Sequence, residues 1–127
     1  MSAQERNTAQ KLVIMDYLKN TKTHPTAEAV LIEVRKKVPC ISQGTVYRVL
    51  GSFEQKGELQ TIETKNAVHF DADTSDHAHF ICEKCGSVYD VFDIRNELVK
   101  IKNKKTKVGK IKNYKINFYG ICSKCKR

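Results

Sequence analysis

The chain has 127 residues, 40% of them hydrophobic and 29% charged, which suits one ordinary globular domain or two small ones joined by a hinge and excludes a disordered or collagen-like chain. No apolar run approaches the roughly 18 to 20 residues of a membrane span, and the opening Met-Ser-Ala-Gln-Glu-Arg-Asn-Thr lacks the apolar core of a signal peptide, so a soluble cytoplasmic protein with no membrane partner is expected. Lys plus Arg number 23 against 14 Asp plus Glu, a formal charge of +9 that should attract polyanions.

Ala9, Leu12, Val13, Tyr17 and Leu18 fall near helical spacing and predict a first helix from about Ala3 to Asn20. His24-Pro25-Thr26 interrupts it. Pro25 suits the start of a second helix, in which Ala27, Val30, Leu31, Val34 and Val38 form one buried stripe and which Pro39 ends. Cys40 then reads as a small, partly buried residue at the helix end. Ser42 is a good N-cap for a third helix, with Val46, Val49, Leu50 and Phe53 on its core face and Gly57 placed for a C-terminal cap. Leu59 to Glu63 and Ala67 to Asp71 flank Thr64-Lys65-Asn66 as a hairpin.

Three short helices followed by a β-hairpin is the order of a winged helix-turn-helix domain, whose third helix enters the DNA major groove; it is equally the order of any small α+β domain. On the third helix, Thr45 and Arg48, flanked by Gln43 and Tyr47, are of types that reach phosphates or base edges.

Ala72 to Asp76 is short and polar and reads as a hinge, giving residues 1–71, a hinge at 72–76 and a second domain at 77–127. In that second domain Ala78 to Cys82 and Val88 to Phe92 read as strands, Arg95 to Lys102 as a helix and Tyr114 to Cys122 as a last strand. Most of the positive charge lies here: residues 1–71 carry 10 Lys/Arg and 8 Asp/Glu, the remainder 13 and 6. The lysines at 102, 104, 105, 107, 110 and 112 read as a solvated loop, because no aromatic is interleaved for base stacking.

Thiols stay reduced in the cytosol, so the spacing of the cysteines gives their meaning. Cys82-Glu83-Lys84-Cys85-Gly86 and Cys122-Ser123-Lys124-Cys125 are two CxxC knuckles, and together they supply the tetrahedral four-sulfur shell that Zn2+ prefers. A redox pair is the weaker reading. About fifty residues with few large apolar side chains bury little core, so zinc and dimerisation should supply the missing stability. In a strand His77 and His79 share one face and Cys82 takes the other, so the two histidines do not join the thiolate site. With acids nearby they suggest a second site of imidazoles and carboxylates, suited to Fe2+, Mn2+ or a second Zn2+; two exposed histidines at a strand start is the plain alternative.

His24-Pro25-Thr26-Ala27-Glu28, the run Ser42 to Leu50, the run His77 to Gly86 and the run Tyr119 to Cys125 stand in the order and spacing of one known family. Over nearly its whole length the chain resembles the ferric-uptake-regulator family of bacterial metal-responsive repressors. The resemblance implies an α+β chain: an N-terminal winged helix-turn-helix domain, a hinge and a small C-terminal α/β dimerisation domain with a structural zinc site. By position, Cys82, Cys85, Cys122 and Cys125 match the zinc ligands, and His24, Asp71, His77, His79 and Asp90 match the regulatory metal ligands. It further implies a homodimer that binds double-stranded operator DNA when Fe2+ or Mn2+ is bound. Asp90 stands where peroxide-sensing members typically carry Asp and iron-sensing members Glu, so the chain looks like the peroxide-sensing type, in which His24 or His77 would be oxidised to 2-oxo-histidine.

Two departures accompany the resemblance. Arg6 to Lys11 aligns with a segment that most relatives precede with an additional helix, and Ala78 and Asn113-Tyr114 stand where some relatives carry a further metal site. His69 is outside the matched ligands and reads as a wing residue. An iron- or zinc-responsive regulator on the same fold is the alternative, and a basic zinc-ribbon RNA-binding protein a remote one. A zinc hydrolase or deaminase is not expected, because no HxE with PCxxC is present and a four-sulfur zinc has no open position for water.

Overall fold

The computed structural model describes residues 3–65, 67–75, 77–94, 100, 101 and 103–126, apart from the side chains of residues 3–7. The chain divides into two units, Met1–Thr74 and Ser75–Arg127. Among the described residues, no helix is long and apolar enough to cross a membrane.

Three helices and a hairpin build the first unit: α1 (Ala3–Asn20), α2 (Ala27–Val34), α3 (Gln43–Gln55), β1 (Gln60–Glu63) and β2 (Val68–Asp71). On α1, which spans the predicted range, the buried residues are Ile14 and Leu18, one turn apart; of the residues whose spacing predicted the helix, Leu18 is buried and Ala9 and Leu12 are exposed. Thr26 caps α2 by accepting from the Ala29 amide, so Pro25 lies just ahead of the cap and not in the first turn. The helix ends at Val34, earlier than Pro39 predicts. Tight bonds from Lys36 N to Glu33 O and Lys37 N to Val34 O wind up the end of the helix, and Val38, preceding a proline, is steered out of helical geometry. Cys40 is therefore beyond the helix, and it is exposed.

Ser42 caps α3, its Oγ accepting the Thr45 amide at 3.1 Å. Val46, Val49, Leu50 and Phe53 are buried against α1 and α2 residues, as their spacing predicts. At the far end Gly57 takes φ 75°, and the bonds from Glu58 N to Phe53 O and Gly57 N to Glu54 O close the left-handed cap that only glycine adopts cheaply. β1 and β2 pair antiparallel, Gln60 opposite Asp71 and Ile62 opposite His69, with Thr64 N bonded to Ala67 O across the turn.

In the second unit a three-stranded sheet has the order β4 (Val88–Val91), β3 (Ala78–Cys82), β7 (Asn117–Gly120). β3 and β4 form an antiparallel hairpin around the first knuckle, and β7 pairs parallel to β3 with Cys82 beside Gly120. Among the described residues of this unit the buried ones are few and mostly small: Ala78, Ile81, Cys82, Val88 and Cys122 besides the histidines. The helix expected over Arg95 to Lys102 falls largely outside the described residues. The lysine-rich stretch is not a plain loop but carries a small hairpin, β5 (Lys105–Thr106) with β6 (Gly109–Lys110), which Thr106 Oγ1 pins by donating to Gly109 O at 2.7 Å.

Candidate metal centres

The turn of the first knuckle is set by its backbone. Gly86 at φ 76° lets its N–H reach back to Cys82 O at 2.9 Å, and the Cys85 amide turns inward onto Cys82 Sγ at 3.4 Å. The second knuckle folds over the first, with the Cys122 amide on the same Cys82 sulfur at 3.4 Å and Cys125 N on Cys122 O. All four sulfurs then lie within 4.8 Å of one another. Sulfurs at about 2.3 Å from a tetrahedral zinc lie about 3.8 Å apart, and Cys85 Sγ and Cys122 Sγ are separated by 3.8 Å.

Their acidities differ sharply. The Cys122 and Cys85 amides aimed at Cys82 stabilise its thiolate and bring that thiol from 9.0 down to about 6. At Cys122 burial pushes upward, yet hydrogen bonds led by the Cys125 amide, with the Tyr89 hydroxyl among them, leave it below its ordinary value. Cys125 is pushed up to about 12 by its side-chain hydrogen bonds with Cys122 and then Cys85. Four thiols this close shed their protons together only around a cation, so the donor set fits a divalent, sulfur-preferring ion. Tyr89, whose hydroxyl bonds to Cys122 and whose own pKa is raised mainly by that bond, was not legible as a partner of this cluster.

A second constellation occupies the other face of the same hairpin. His79 stands directly opposite Asp90 in the β3–β4 pairing, and His77, two residues earlier, shares its face. Both Nε2 atoms converge on Asp90 Oδ1, at 3.0 Å from His77 and 3.3 Å from His79. His77 Nδ1 donates to Ser75 O at 2.7 Å, and the ring stacks on Phe92 with centroids 4.9 Å apart. With Nδ1 carrying that proton, His77 Nε2 meets Asp90 Oδ1 through a proton or a cation held between them. All of these imidazole faces are buried, His77 at 5% and His79 at 4% exposure, which rules out the plain reading of two exposed histidines.

The first unit holds a matching pair. His24, 6% exposed, places Nε2 3.3 Å from Asp71 Oδ2. Nitrogen and oxygen ligands about 2.1 Å from one ion and at right angles to each other lie about 3.0 Å apart, so each unit spaces its donors as neighbouring corners of a coordination shell. The residues fit an ion that favours imidazole and carboxylate over sulfur. His69 also reaches this corner, its Nδ1 donating to the His24 carbonyl at 2.7 Å.

On α3 the side chains of Gln43, Tyr47 and Arg48 are exposed, while Thr45 is half-buried with its hydroxyl 2.8 Å from Ser42 Oγ at the cap. Gln43 and Tyr47, one turn apart, share one side of the helix, and Arg48 lies about 100° round from Tyr47.

The sequence model of the ferric uptake regulator family matches residues 2–119. The peroxide operon regulator of Bacillus subtilis (strain 168) is 33% identical over 123 residues, which are 96% of this chain and 85% of that protein. The peroxide-responsive repressor PerR of Staphylococcus epidermidis is 32% identical over 123 residues, 95% of this chain and 81% of that protein. Among solved structures, the Campylobacter jejuni peroxide stress regulator matches with a TM-score of 0.81 and 28% identity, covering 98% of this chain and 100% of that one.

Proposed function

The chain belongs to the ferric uptake regulator family, and from that premise we propose that it is a metal-dependent transcriptional repressor that binds operator DNA as a homodimer and releases it on exposure to hydrogen peroxide. Cys82, Cys85, Cys122 and Cys125 hold a structural Zn2+. His24 and Asp71 of the first unit join His77, His79 and Asp90 of the second to hold a regulatory Fe2+ or Mn2+, so that residues 1–71 and 77–127 act as DNA-binding and dimerisation domains about a hinge at 72–76. Arg48, Gln43, Tyr47 and Thr45 present the face that enters the major groove.

The convergence of two buried imidazoles on one Asp90 oxygen, beside a separate all-sulfur site, carries this reading. It gives the chain two metal sites of opposite chemical preference, one to fold with and one to sense with. Fe2+, when held there, would activate H2O2 by electron transfer, chemistry that Mn2+ would not supply; over the whole reaction H2O2 is the two-electron oxidant, giving one oxygen to a ring carbon and leaving the other as water. The residues exposed to that oxidant are the ligand imidazoles themselves; His24 and His77 are the ones we assign to take up oxygen, and an oxidised ring is a poorer donor. The relatives in Bacillus subtilis, Staphylococcus epidermidis and Campylobacter jejuni are named for peroxide response, and Asp90, which the family resemblance associates with the peroxide-sensing type, points the same way. Membership of a family of transcription regulators makes the protein no enzyme: the oxidation is self-modification without turnover. It also removes the zinc-ribbon RNA-binding alternative, which left the helical unit without a purpose.

Peptide mass spectrometry of the Fe2+-loaded protein before and after brief H2O2 exposure, with a Mn2+-loaded control and operator binding followed in parallel, tests the proposal. One added oxygen on His24 or His77, only with iron and together with DNA release, is the expected result. Unmodified histidines with undiminished metal-dependent DNA binding would instead make the chain an iron-, manganese- or zinc-responsive co-repressor switch.

A further inference from the structure

His24 sits in a backbone conformation that it would not hold unaided. Its φ of 52° is left-handed, unusual for a residue with a β-carbon, and the proline that follows disfavours helical geometry at this position as well. Pro25 has no N–H to donate, which leaves the carbonyls of His24 and Pro25 as acceptors by which a neighbouring strand can hold the segment. Strand β2 takes both: Phe70 N donates to Pro25 O at 2.9 Å, and His69 Nδ1 donates to His24 O at 2.7 Å. A carbonyl only accepts, so that imidazole must carry its proton on Nδ1. The Phe70–Pro25 bond sets Thr26 opposite His69 as an antiparallel pair, and His69 is anchored in register opposite the fully buried Ile62.

Alternation along β2 puts His69 and Asp71 on the same face. One strand thus grips His24 at both ends: Asp71 meets its ring at Nε2, and His69 holds its carbonyl. We infer that His69, which touches no donor atom of either metal site, is a positioning residue that locks His24 in the conformation that offers Nε2 to the regulatory metal. This inference rests on His24 being a regulatory ligand. It makes the wing hairpin part of the sensor, because the strand that fixes the ligand is the strand that forms the wing.

The test is Mn2+ titration of the zinc-loaded protein, followed by calorimetry, with zinc content and the thermal midpoint of the Mn2+-free protein as controls. His69→Leu removes the donor and should raise the Mn2+ dissociation constant roughly fivefold or more, the equivalent of one lost hydrogen bond. His69→Gln, whose amide extends a bond further than Nδ1, should do the same and serves if the leucine variant folds poorly. His69→Asn keeps an N–H near the Nδ1 position and should restore affinity to within about twofold. In a His24→Ala background His69→Leu should cost nothing more, which a merely structural role would not produce. Wild-type Mn2+ affinity in both His69→Leu and His69→Gln, or an equal loss with and without His24, overturns the inference while leaving the ligand assignment standing. Wild-type affinity in His24→Ala alone overturns the ligand assignment, and the inference with it.

Discussion

Stripping zinc should unfold one unit and spare the other. Among the described residues of the Ser75–Arg127 unit the larger buried aliphatics are Ile81 and Val88, and burying each contributes about 1.5–3 kcal/mol. Together they reach about 3–6 kcal/mol, whereas a structural zinc contributes on the order of 10–16 kcal/mol to such a site. The metal therefore dominates the stability of this unit. The other unit has its own core, in which Ile14, Leu18, Val30, Val34, Ile41, Val46, Val49, Leu50, Phe53 and Leu59 pack together without any metal. Amide hydrogen exchange read by peptide mass spectrometry, after a strong chelator under reducing conditions, resolves the two. Peptides covering Ala78–Cys82, Val88–Val91 and Asn117–Gly120 should lose protection, while α2 and α3 keep theirs and helical circular dichroism persists; added zinc should restore the strands. Full protection of β3 and β4 in zinc-free protein, or simultaneous loss in α3, would refute the argument.

Three further outcomes follow from the geometry. The Cys82 thiol is brought from 9.0 to about 6 by the Cys122 and Cys85 amides, so the stability it contributes is present above 9 and is lost as the pH falls through about 6; bound zinc extends the range further down, and a metallochromic dye should therefore register zinc release only below about pH 6, release at pH 7.5 counting against the site. Arg48→Ala should weaken operator binding and relax base preference with zinc content unchanged, and a gel-shift series on operator variants that shows normal specificity would remove α3 from the DNA interface. Leu50→Ala, at 1% exposure in the helical core, should cost about 2–5 kcal/mol in urea unfolding of the first unit, and a loss under about 1 kcal/mol would mean that this core is not close-packed.

What could be read from the sequence divides along a physical line. Ser42, Gly57 and the Val46 to Phe53 spacing specify α3 because cap chemistry and helical period are local properties, and there the expectation and the structure agree. The CxxC pairs were legible for the same reason, since a knuckle encodes its own turn. Alternation likewise separated His77 and His79 from Cys82. Where several forces compete locally, the pattern misled. Leu18 of the helical spacing is buried, but Leu12 is exposed and Ile14, outside that spacing, is buried beside Leu18, and the end of α2 is decided by a tightened turn at Arg35 to Lys37 before Pro39 acts. Tertiary partners left no signal: the Tyr89 hydroxyl on Cys122 and the Phe92 ring on His77 depend on which strands pair. His69 lies between these cases. Its face on β2 follows from Asp71 by alternation, but its target, the carbonyl of a residue 45 positions earlier, does not.

The division of the proposed regulatory ligands explains why a metal could act as a switch. One imidazole and one carboxylate in the first unit, or two imidazoles and one carboxylate in the second, make a weak site by themselves. An ion that needs all five binds the arrangement in which both sets are presented together far more tightly than either set alone, and that difference in affinity is all that can bias the conformational equilibrium. The zinc site, with all its sulfurs in one unit, has no such leverage: it stabilises that unit whatever the other does. Oxidation of a single ligand imidazole then need not destroy the protein to reverse the bias. It has only to remove one donor from the proposed five, and His24, one of the two ligands proposed in the first unit, is the donor whose loss would most directly uncouple that unit from the metal.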